Sequence, residues 1–359
     1  MIRATFIMEQ HLGHRSYYEN LRQVIDESPH IDPTWVPVTY TQSGSMWERL
    51  PLLSPHVRGT LAGRMQVKQG LRQPTDIFLF NTQVPAVLGG TIDQPYLLAT
   101  DITPIQYDQM AHYYGHRPDQ DGILSRYKHQ ANLKTFQGAA RVLPWSSWTA
   151  DSLMHDYGVD PDCIEVIPPG VDTTIWRPRE QSSFRKAMRI LFVGADLKRK
   201  GGDSVLKAFR SLAKEMVELI VVTQDKLPLE QGVRVYNNMK PNSPELIALY
   251  QSCDVFVMPS KAEAFGIAAI EASAVGLPLI TTAVGGLKDI VEEGKTGFFI
   301  QPDDHATLAR RLHLLAKNPG LRRELGHAAR QRAETQFNSY TNAGRIAHIL
   351  QEVVAQKVC

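Results

Sequence analysis

Short apolar runs alternate along the chain with longer amphipathic stretches, and this alternation predicts a βαβα order of elements. In the first half, the runs typical of strands are 5–8, 35–40, 76–80, 96–100, 141–143 and 164–167. Helical stretches lie between several of them, at 16–27, 58–71, 122–137 and 149–157. Such an order indicates a mainly parallel sheet that helices cover on both faces.

The alternation breaks once and then resumes. The break comes at Pro168-Pro-Gly-Val-Asp172 and the polar run that follows it, and six more strand-like runs come after it, at 189–193, 217–223, 232–236, 254–258, 278–281 and 297–300. A chain of 359 residues is long enough for about two domains. We therefore predict an α/β protein with two doubly wound domains. Their predicted bounds are 1–172 for the N-terminal domain, 173–188 for a linker, 189–337 for the C-terminal domain and 338–359 for a last helix that packs on the N-terminal domain.

Composition narrows the class of protein. The net charge of +2 argues against a nucleic-acid binder, for which a strong basic excess is expected. The three cysteines, Cys163, Cys253 and Cys359, fit neither a disulfide framework nor a zinc pattern, so a reducing cytoplasm is the expected compartment. The first residues are too soon interrupted by Glu9 to form a signal peptide, and no apolar run approaches the ~20 residues that cross a bilayer.

Ligands of parallel α/β sheets bind beyond the carboxyl ends of the strands, so three strand-to-helix junctions in the second half are candidate parts of a ligand site. The first junction runs from Gly194 to Gly201 and places Lys198, Arg199 and Lys200 just before a helix. Basic side chains and the positive end of a helix dipole together suit a diphosphate. The spacing is not that of a P-loop, and a solvated basic turn is the alternative interpretation if this loop is taken alone.

The other two junctions are acidic and glycine-rich. Glu263 lies in the loop before a helix predicted over 267–275, and Glu271 lies more than a turn inside that helix, where Gly276 supplies the stop. The third junction contains Gly285 and Gly286, which allow a close approach of backbone. Cations hold phosphate and carboxylates accept hydrogen bonds from sugar hydroxyls, so the three loops together predict a nucleotide-sugar pocket.

In order and spacing, these motifs resemble the retaining family 4 glycosyltransferases. The resemblance covers nearly the whole chain and includes Val166-Ile-Pro-Pro-Gly-Val-Asp172, the basic loop, the two glutamates separated by seven residues (E-x7-E), the Gly-Gly loop and Glu293-Gly-Lys-Thr-Gly-Phe298. It implies the GT-B fold, in which two Rossmann-like domains face a cleft and the C-terminal helix crosses back to the N-terminal domain.

The resemblance also implies roles for individual residues. Glu263 would approach the donor sugar, Lys200 would neutralise the leaving diphosphate, and Glu271 would bind the ribose hydroxyls. Gly13, in the loop 9–15, would face the acceptor and the phosphates. The base would lie near 238–240. The residues assigned to donor binding are therefore Gly13, Gly194, Asn238, Met239, Lys240, Ala264, Phe265, Gly266, Ile267 and Glu271.

The chain departs from the family pattern at two places. Many relatives have Gly-Arg at the start of the phosphate loop, where this chain has Gly194-Ala195, and we predict that Arg199 supplies the missing charge. Many relatives also have a histidine near the reacting sugar at the position that Asp101 occupies here. We expect Asp101 to bind a hydroxyl of the acceptor or the donor. His11 and His14, which flank Gly13, are further candidates.

The resulting expectation is a retaining glycosyltransferase that moves a sugar from a nucleotide-diphosphate donor to an acceptor hydroxyl, with catalytic residues Glu263, Lys200, Arg199 and Asp101. We expect no metal ion and no cofactor beyond the nucleotide sugar. The acceptor, whether glycan, lipid-linked or small molecule, is not specified.

Arg64, Lys68 and Arg72 share a helical face, which is either solvated or in weak peripheral contact with anionic lipid at the inner face of the membrane. The alternatives are another GT-B enzyme, such as a sugar-nucleotide epimerase or a phosphorylase, and a catalytically inactive nucleotide-sugar-binding protein.

Overall fold

The structure, a computed structural model, describes residues 1–10, 13–40, 55–118, 122–179, 187–213 and 215–358. His11 and Cys359 lie outside the described residues. The chain forms two compact units. The first unit comprises Met1–Gln109, Arg117–Pro169 and Ser339–Cys359, and the second comprises Met110–His116 and Gly170–Asn338.

The first unit is built on a five-stranded parallel sheet with the strand order β2-β1-β3-β4-β5. Its strands are β1 (Ile2–Glu9), β2 (Ile31–Val38), β3 (Ile77–Phe80), β4 (Tyr96–Thr100) and β5 (Arg141–Pro144). Helices flank the sheet: α1 (Gly13–Ile25), α2 (Pro55–Leu71), α3 (Gln83–Gly89), α4 (Pro104–Gln109), α6 (Ile123–Gln137), α7 (Ser147–His155) and α14 (Ser339–Val358). Every residue of β3 and β4 is buried, as expected for parallel strands that are covered on both faces.

The second unit contains a six-stranded parallel sheet with the order β11-β10-β9-β6-β7-β8. The strands are β6 (Met188–Val193), β7 (Val217–Val222), β8 (Val233–Tyr236), β9 (Val255–Met258), β10 (Leu279–Thr282) and β11 (Gly297–Ile300). The helices are α5 (Ala111–Tyr114), α8 (Gly202–Arg210), α9 (Pro244–Gln251), α10 (Ile267–Ala274), α11 (Leu287–Ile290), α12 (His305–Lys317) and α13 (Pro319–Gln336). Because β6, β9 and β10 are neighbours in this sheet, the loops that follow them leave the same edge side by side.

The last helix belongs to the first unit. Helix α14 packs against α1 and β1, with Ile346, Leu350 and Val353 buried. The predicted return of the C-terminal helix to the N-terminal domain is therefore confirmed. Within the part of the chain that the structure describes, no helix combines the length and the apolar character needed to cross a membrane.

Two local predictions need correction. The run 164–167 is not a regular strand, because among the described residues it makes one isolated bridge, between Ile164 and Val142, and only two backbone hydrogen bonds to β5, from Glu165 and Ile167. The prolines that follow at 168 and 169 have no N–H with which to continue this pairing. Gly13 is not in a loop, since it is the first residue of α1.

The basic side chains Arg64 and Lys68 are exposed on α2, and Arg72 is exposed one residue beyond its end. Contact of this face with lipid stays a prediction.

Candidate functional site

Close contacts at glycines bring the three predicted loops of the second unit together. Gly201 has φ +78°, and a Cβ on it would lie 2.1 Å from the carbonyl oxygen of Pro259. Gly285 has φ +55°, and a Cβ there would lie 1.8 Å from the carbonyl oxygen of Glu263. A side chain at either position would both strain the backbone and separate the loops. The basic loop and the Gly-Gly loop thus each rest directly on the loop that carries Glu263.

Hydrogen bonds hold this arrangement in place. The N–H of Lys261 donates to the carbonyl oxygen of Arg199 at 2.9 Å, and the N–H of Gly286 donates to that of Ala264 at 3.0 Å. The Thr282 hydroxyl donates to the carbonyl oxygen of Ser260 at 2.6 Å. Backbone and hydroxyl bonds of this kind fix the segment between β9 and α10 from both sides.

Lys200 and Glu263 form a buried ion pair at the centre of the three loops. Their side chains are 14% and 7% exposed. The Ser260 hydroxyl lies 3.4 Å from the same carboxylate oxygen. Burial lowers the pKa of Lys200 and the nearby Arg199 lowers it further, while Glu263 acts in the opposite direction. An anion bound beside Lys200 would stabilise its ammonium form, so the pair is suited to a negatively charged ligand.

The guanidinium group of Arg199 makes three contacts within the second unit. Nη1 donates to the carbonyl oxygen of Ala262 at 3.1 Å, and Nε lies 3.5 Å from the Asp196 carboxylate. Its Cζ atom lies 4.6 Å from the ring centroid of Tyr114 on α5, a cation–π contact. Arg199 therefore braces the loop between β9 and α10. Its predicted action on the diphosphate stays a prediction.

Free backbone donors follow Glu263 along the chain, at the start of α10. Helix α10 begins after Gly266, which has φ +112° and provides no side-chain cap. Among the described residues, the N–H groups of Ala264, Gly266 and Ile267 donate no hydrogen bond. Helix α8 begins after Gly201, also without a side-chain cap. Uncapped helix N-termini carry partial positive charge and bind anions and hydroxyl oxygens.

Glu271 is the fifth residue of α10 and is buried. Its Oε2 accepts a hydrogen bond of 2.8 Å from the hydroxyl of Tyr250 on α9. Burial raises the pKa of Glu271 to about 7, although the bond from Tyr250 acts to lower it. The predicted placement of one acid in the loop and the other inside the helix matches the structure, and the ribose-binding role of Glu271 stays a prediction.

The predicted base-binding segment follows β8, at the same carboxyl edge of the sheet. Asn238 and Lys240 are exposed, and Met239 is half-buried. The structure thus leaves these side chains accessible.

Gly194 follows β6, and a Cβ on it would lie 2.8 Å from Cγ of Lys200, so the glycine allows the lysine stem to fold back over the strand end.

In the first unit, the structure joins two residues that the sequence left apart. Nε2 of His14, in the first turn of α1, lies 3.5 Å from the carboxylate of Asp101, which follows β4. The His14 ring also packs at 5.1 Å on Trp145. Burial acts to lower the pKa of His14, but Asp101 and Glu9 outweigh it and raise the pKa above its ordinary value. Asp101 is therefore the partner of the half-buried imidazole of His14, and Gly13, the residue before His14, is exposed.

Sequence reasoning did not find Tyr250, Ser260 or the partnership of His14 with Asp101. Tyr250 lies on an ordinary amphipathic helix, and nothing in its local pattern distinguishes it from a core tyrosine. The joining of His14 to Asp101 had a weak signal, since both follow strands of the same parallel sheet and so leave its same edge.

Two glycosyltransferase family models match this chain. The family model described as "Glycosyl transferases group 1" matches residues 175–332, and the model described as "Glycosyltransferase Family 4" matches residues 94–175. A D-inositol 3-phosphate glycosyltransferase of Paenarthrobacter aurescens is 31% identical over 244 residues, which are 62% of this chain and 58% of that protein. The match thus spans little more than half the length of this relative.

Solved structures show the same fold. Sucrose-phosphate synthase from Thermosynechococcus elongatus superposes with a TM-score of 0.77 at 18% identity, covering 99% of this chain and all of that one. HepE from Anabaena, solved in complex with UDP-glucose, superposes with a TM-score of 0.70 at 16% identity, covering 98% of this chain and all of that one. The likeness extends over both units, and the fold is GT-B.

Proposed function

The chain belongs to glycosyltransferase family 4, and on that premise we propose that it transfers a sugar from a nucleotide-diphosphate donor to an acceptor hydroxyl and retains the anomeric configuration. The observation that carries the proposal is the buried pair of Lys200 and Glu263, which the free N–H groups at the start of α10 follow directly in the chain. Such a cluster offers positive charge and donors to phosphate and carboxylate oxygens to sugar hydroxyls.

The proposed chemistry follows from these charges. As the bond between the sugar and the diphosphate breaks, positive charge grows at the anomeric carbon and negative charge grows on the leaving phosphate. Lys200 and the uncapped N-terminus of α10 meet that negative charge, and preorganised groups of this kind stabilise the transition state more than the ground state. The leaving phosphate oxygen accepts the proton of the acceptor hydroxyl, so no separate base is required. In this proposal Gly13 and Asp101 of the first unit serve the acceptor.

We propose that the reaction needs no metal ion, because protein cations and N–H groups serve the leaving diphosphate. Activity should therefore persist at its full rate after dialysis against EDTA, measured as release of nucleoside diphosphate. A strict loss with EDTA that Mn²⁺ restores would contradict this mechanism.

Substitution at the ion pair tests the assignment. A thermal-shift screen of nucleotide sugars, starting with UDP-glucose, first identifies a donor, since a ligand of the folded state raises its stability. With that donor, Lys200→Met and Glu263→Gln should each lower kcat by about 100-fold or more. The first substitution removes the positive charge beside the leaving phosphate, and the second weakens the contact of the carboxylate with the sugar.

The matched control is Lys261→Met. This lysine lies two residues before Glu263 but pairs with Asp303 at 2.6 Å, so its loss should change kcat by no more than about threefold. Full activity in both Lys200→Met and Glu263→Gln would eliminate the proposed site. Donor binding with no transfer or donor hydrolysis in the native protein would favour the inactive binding protein, and conversion of the donor sugar would favour an epimerase.

A further inference from the structure

The bond between Tyr250 and Glu271 divides the two oxygens of a buried carboxylate. Tyr250 is fully buried, and its hydroxyl donates to Oε2 of Glu271 at 2.8 Å. The Tyr250 ring lies edge-on to Trp176 at 5.2 Å and stacks on Phe256 at 6.1 Å. Because the Tyr250 ring is fully buried and contacts both aromatic rings, it has little freedom to move, and its hydroxyl stays beside the Glu271 carboxylate.

The other oxygen of Glu271 is left for a ligand. Among the described residues, no donor forms a hydrogen bond with Oε1. Side-chain polar atoms that lack a partner and are also sealed from solvent do occur in this structure, but Oε1 is not one of them. It is therefore accessible from outside the protein. A buried carboxylate with one oxygen fixed internally and the other accessible is a built acceptor for hydroxyl groups.

We propose that Tyr250 is the positioning residue of the donor site: by occupying Oε2 of Glu271, it orients Oε1 toward the ribose hydroxyls of the nucleotide. The inference rests on the proposed function, in which Glu271 binds the ribose. Tyr250 itself touches no substrate and acts through Glu271.

Tyr250 also favours the charged form of the Glu271 carboxylate. Burial raises the pKa of Glu271 to about 7, and the Tyr250 hydrogen bond is the contact that lowers it. Two other titratable groups lie near. Cys253 contributes to raising the pKa of Tyr250. Arg330 lies on α13, which packs against α10, but it donates to the carbonyl oxygen of Ala274 and not to Glu271. Without the Tyr250 hydroxyl, Glu271 becomes a weaker acceptor at neutral pH because more of it is protonated.

The test compares Tyr250→Phe with the native enzyme by calorimetric titration between pH 6 and pH 9. The probes are UDP, GDP and ADP, each beside its 2′-deoxy form. For the nucleotide that binds, the native enzyme should favour the ribonucleotide over the deoxy form by about tenfold at pH 8, the effect of a hydrogen bond to a charged group. In Tyr250→Phe this preference should fall to about twofold at the same pH 8 and partly return at pH 9.

Two controls separate positioning from simple damage to the fold. Tyr157→Phe removes the hydroxyl of another buried tyrosine, one that accepts from the Ile105 N–H in the first unit, and should leave the preference unchanged. In a double-mutant cycle, Tyr250→Phe added to Glu271→Gln should cause no further loss of preference.

Each other result has a defined meaning. An equal loss on the native and the Glu271→Gln backgrounds would show that Tyr250 is only structural, and would overturn the inference. An unchanged preference in Tyr250→Phe, with the preference lost in Glu271→Gln, would overturn the inference but leave the proposed function intact. If no nucleotide binds, or Glu271→Gln binds like the native enzyme, the ribose role of Glu271 fails and the inference falls with it.

Discussion

Glu271, which we propose to bind the ribose, lowers the stability of the folded protein when it is charged. Its pKa rises to about 7 in the folded protein, above the ordinary value of 4.5, because burial disfavours the charged form. The folded state therefore binds the proton more tightly than the unfolded state does. The stabilisation that comes from the protonated Glu271 side chain is complete below about pH 4.5 and is lost as the pH rises to about 7.

Replacing the acid with a neutral amide should remove this loss. We expect Glu271→Gln to match the native protein in free energy of unfolding near pH 4 and to exceed it by about 3 kcal/mol at most at pH 8. Urea titrations at the two pH values measure the difference. The exposed Glu245 on α9 provides the control, and its change to Gln should alter stability by less than about 0.5 kcal/mol at both. A Glu271→Gln variant less stable than the native protein at pH 8 would refute the argument.

At the scale of elements, the junction between β10 and α11 decides the geometry of the site. Gly285 and Gly294 both have positive φ, +55° and +73°, so alanine strains the backbone at either. Only at Gly285 does the added Cβ also meet another loop, at 1.8 Å from the carbonyl oxygen of Glu263, while Gly294 has nothing within 4 Å.

The two glycines thus form a matched pair. We expect Gly294→Ala to lose about 1 kcal/mol of stability and to keep its kcat, because the cost there is backbone strain alone. Gly285→Ala should lose more stability and also reduce kcat by about tenfold or more, because it displaces Glu263. Denaturant unfolding and donor turnover measure both effects, and equal kcat values in the two variants would show that contact between the loops does not position the acid.

The elements were largely predictable from sequence because buried parallel strands are short, apolar and bounded by turns. The run 164–167 has the same character and donates two backbone hydrogen bonds to β5, but whether such a run becomes a regular strand of the sheet depends on tertiary contacts. The same limit applies to the site. The positions of Glu263 and Glu271 follow from a strand-to-helix junction, whereas the contacts of Tyr250 with Glu271 and of Arg199 with Ala262 join different elements. No local pattern specifies them.

At the scale of the molecule, the path of the chain ties its last helix to its first unit. Helix α14 follows the second unit in sequence, yet Leu350 and its buried neighbours pack within the first. Removing Leu350 should therefore destabilise the first unit. We expect Leu350→Ala to cost that unit about 2–5 kcal/mol, the range for a cavity left by a buried leucine.

Scanning calorimetry with the bound nucleotide distinguishes the two units, because a ligand of the second unit raises the transition of that unit by mass action. In Leu350→Ala, the transition that does not respond to nucleotide should move to lower temperature, and nucleotide affinity should stay within about twofold of the native value. The control is His348→Ala on the same helix, where the side chain is 72% exposed and pairs with exposed Glu352, and it should leave both transitions in place. A fall confined to the nucleotide-responsive transition would instead assign α14 to the stability of the second unit.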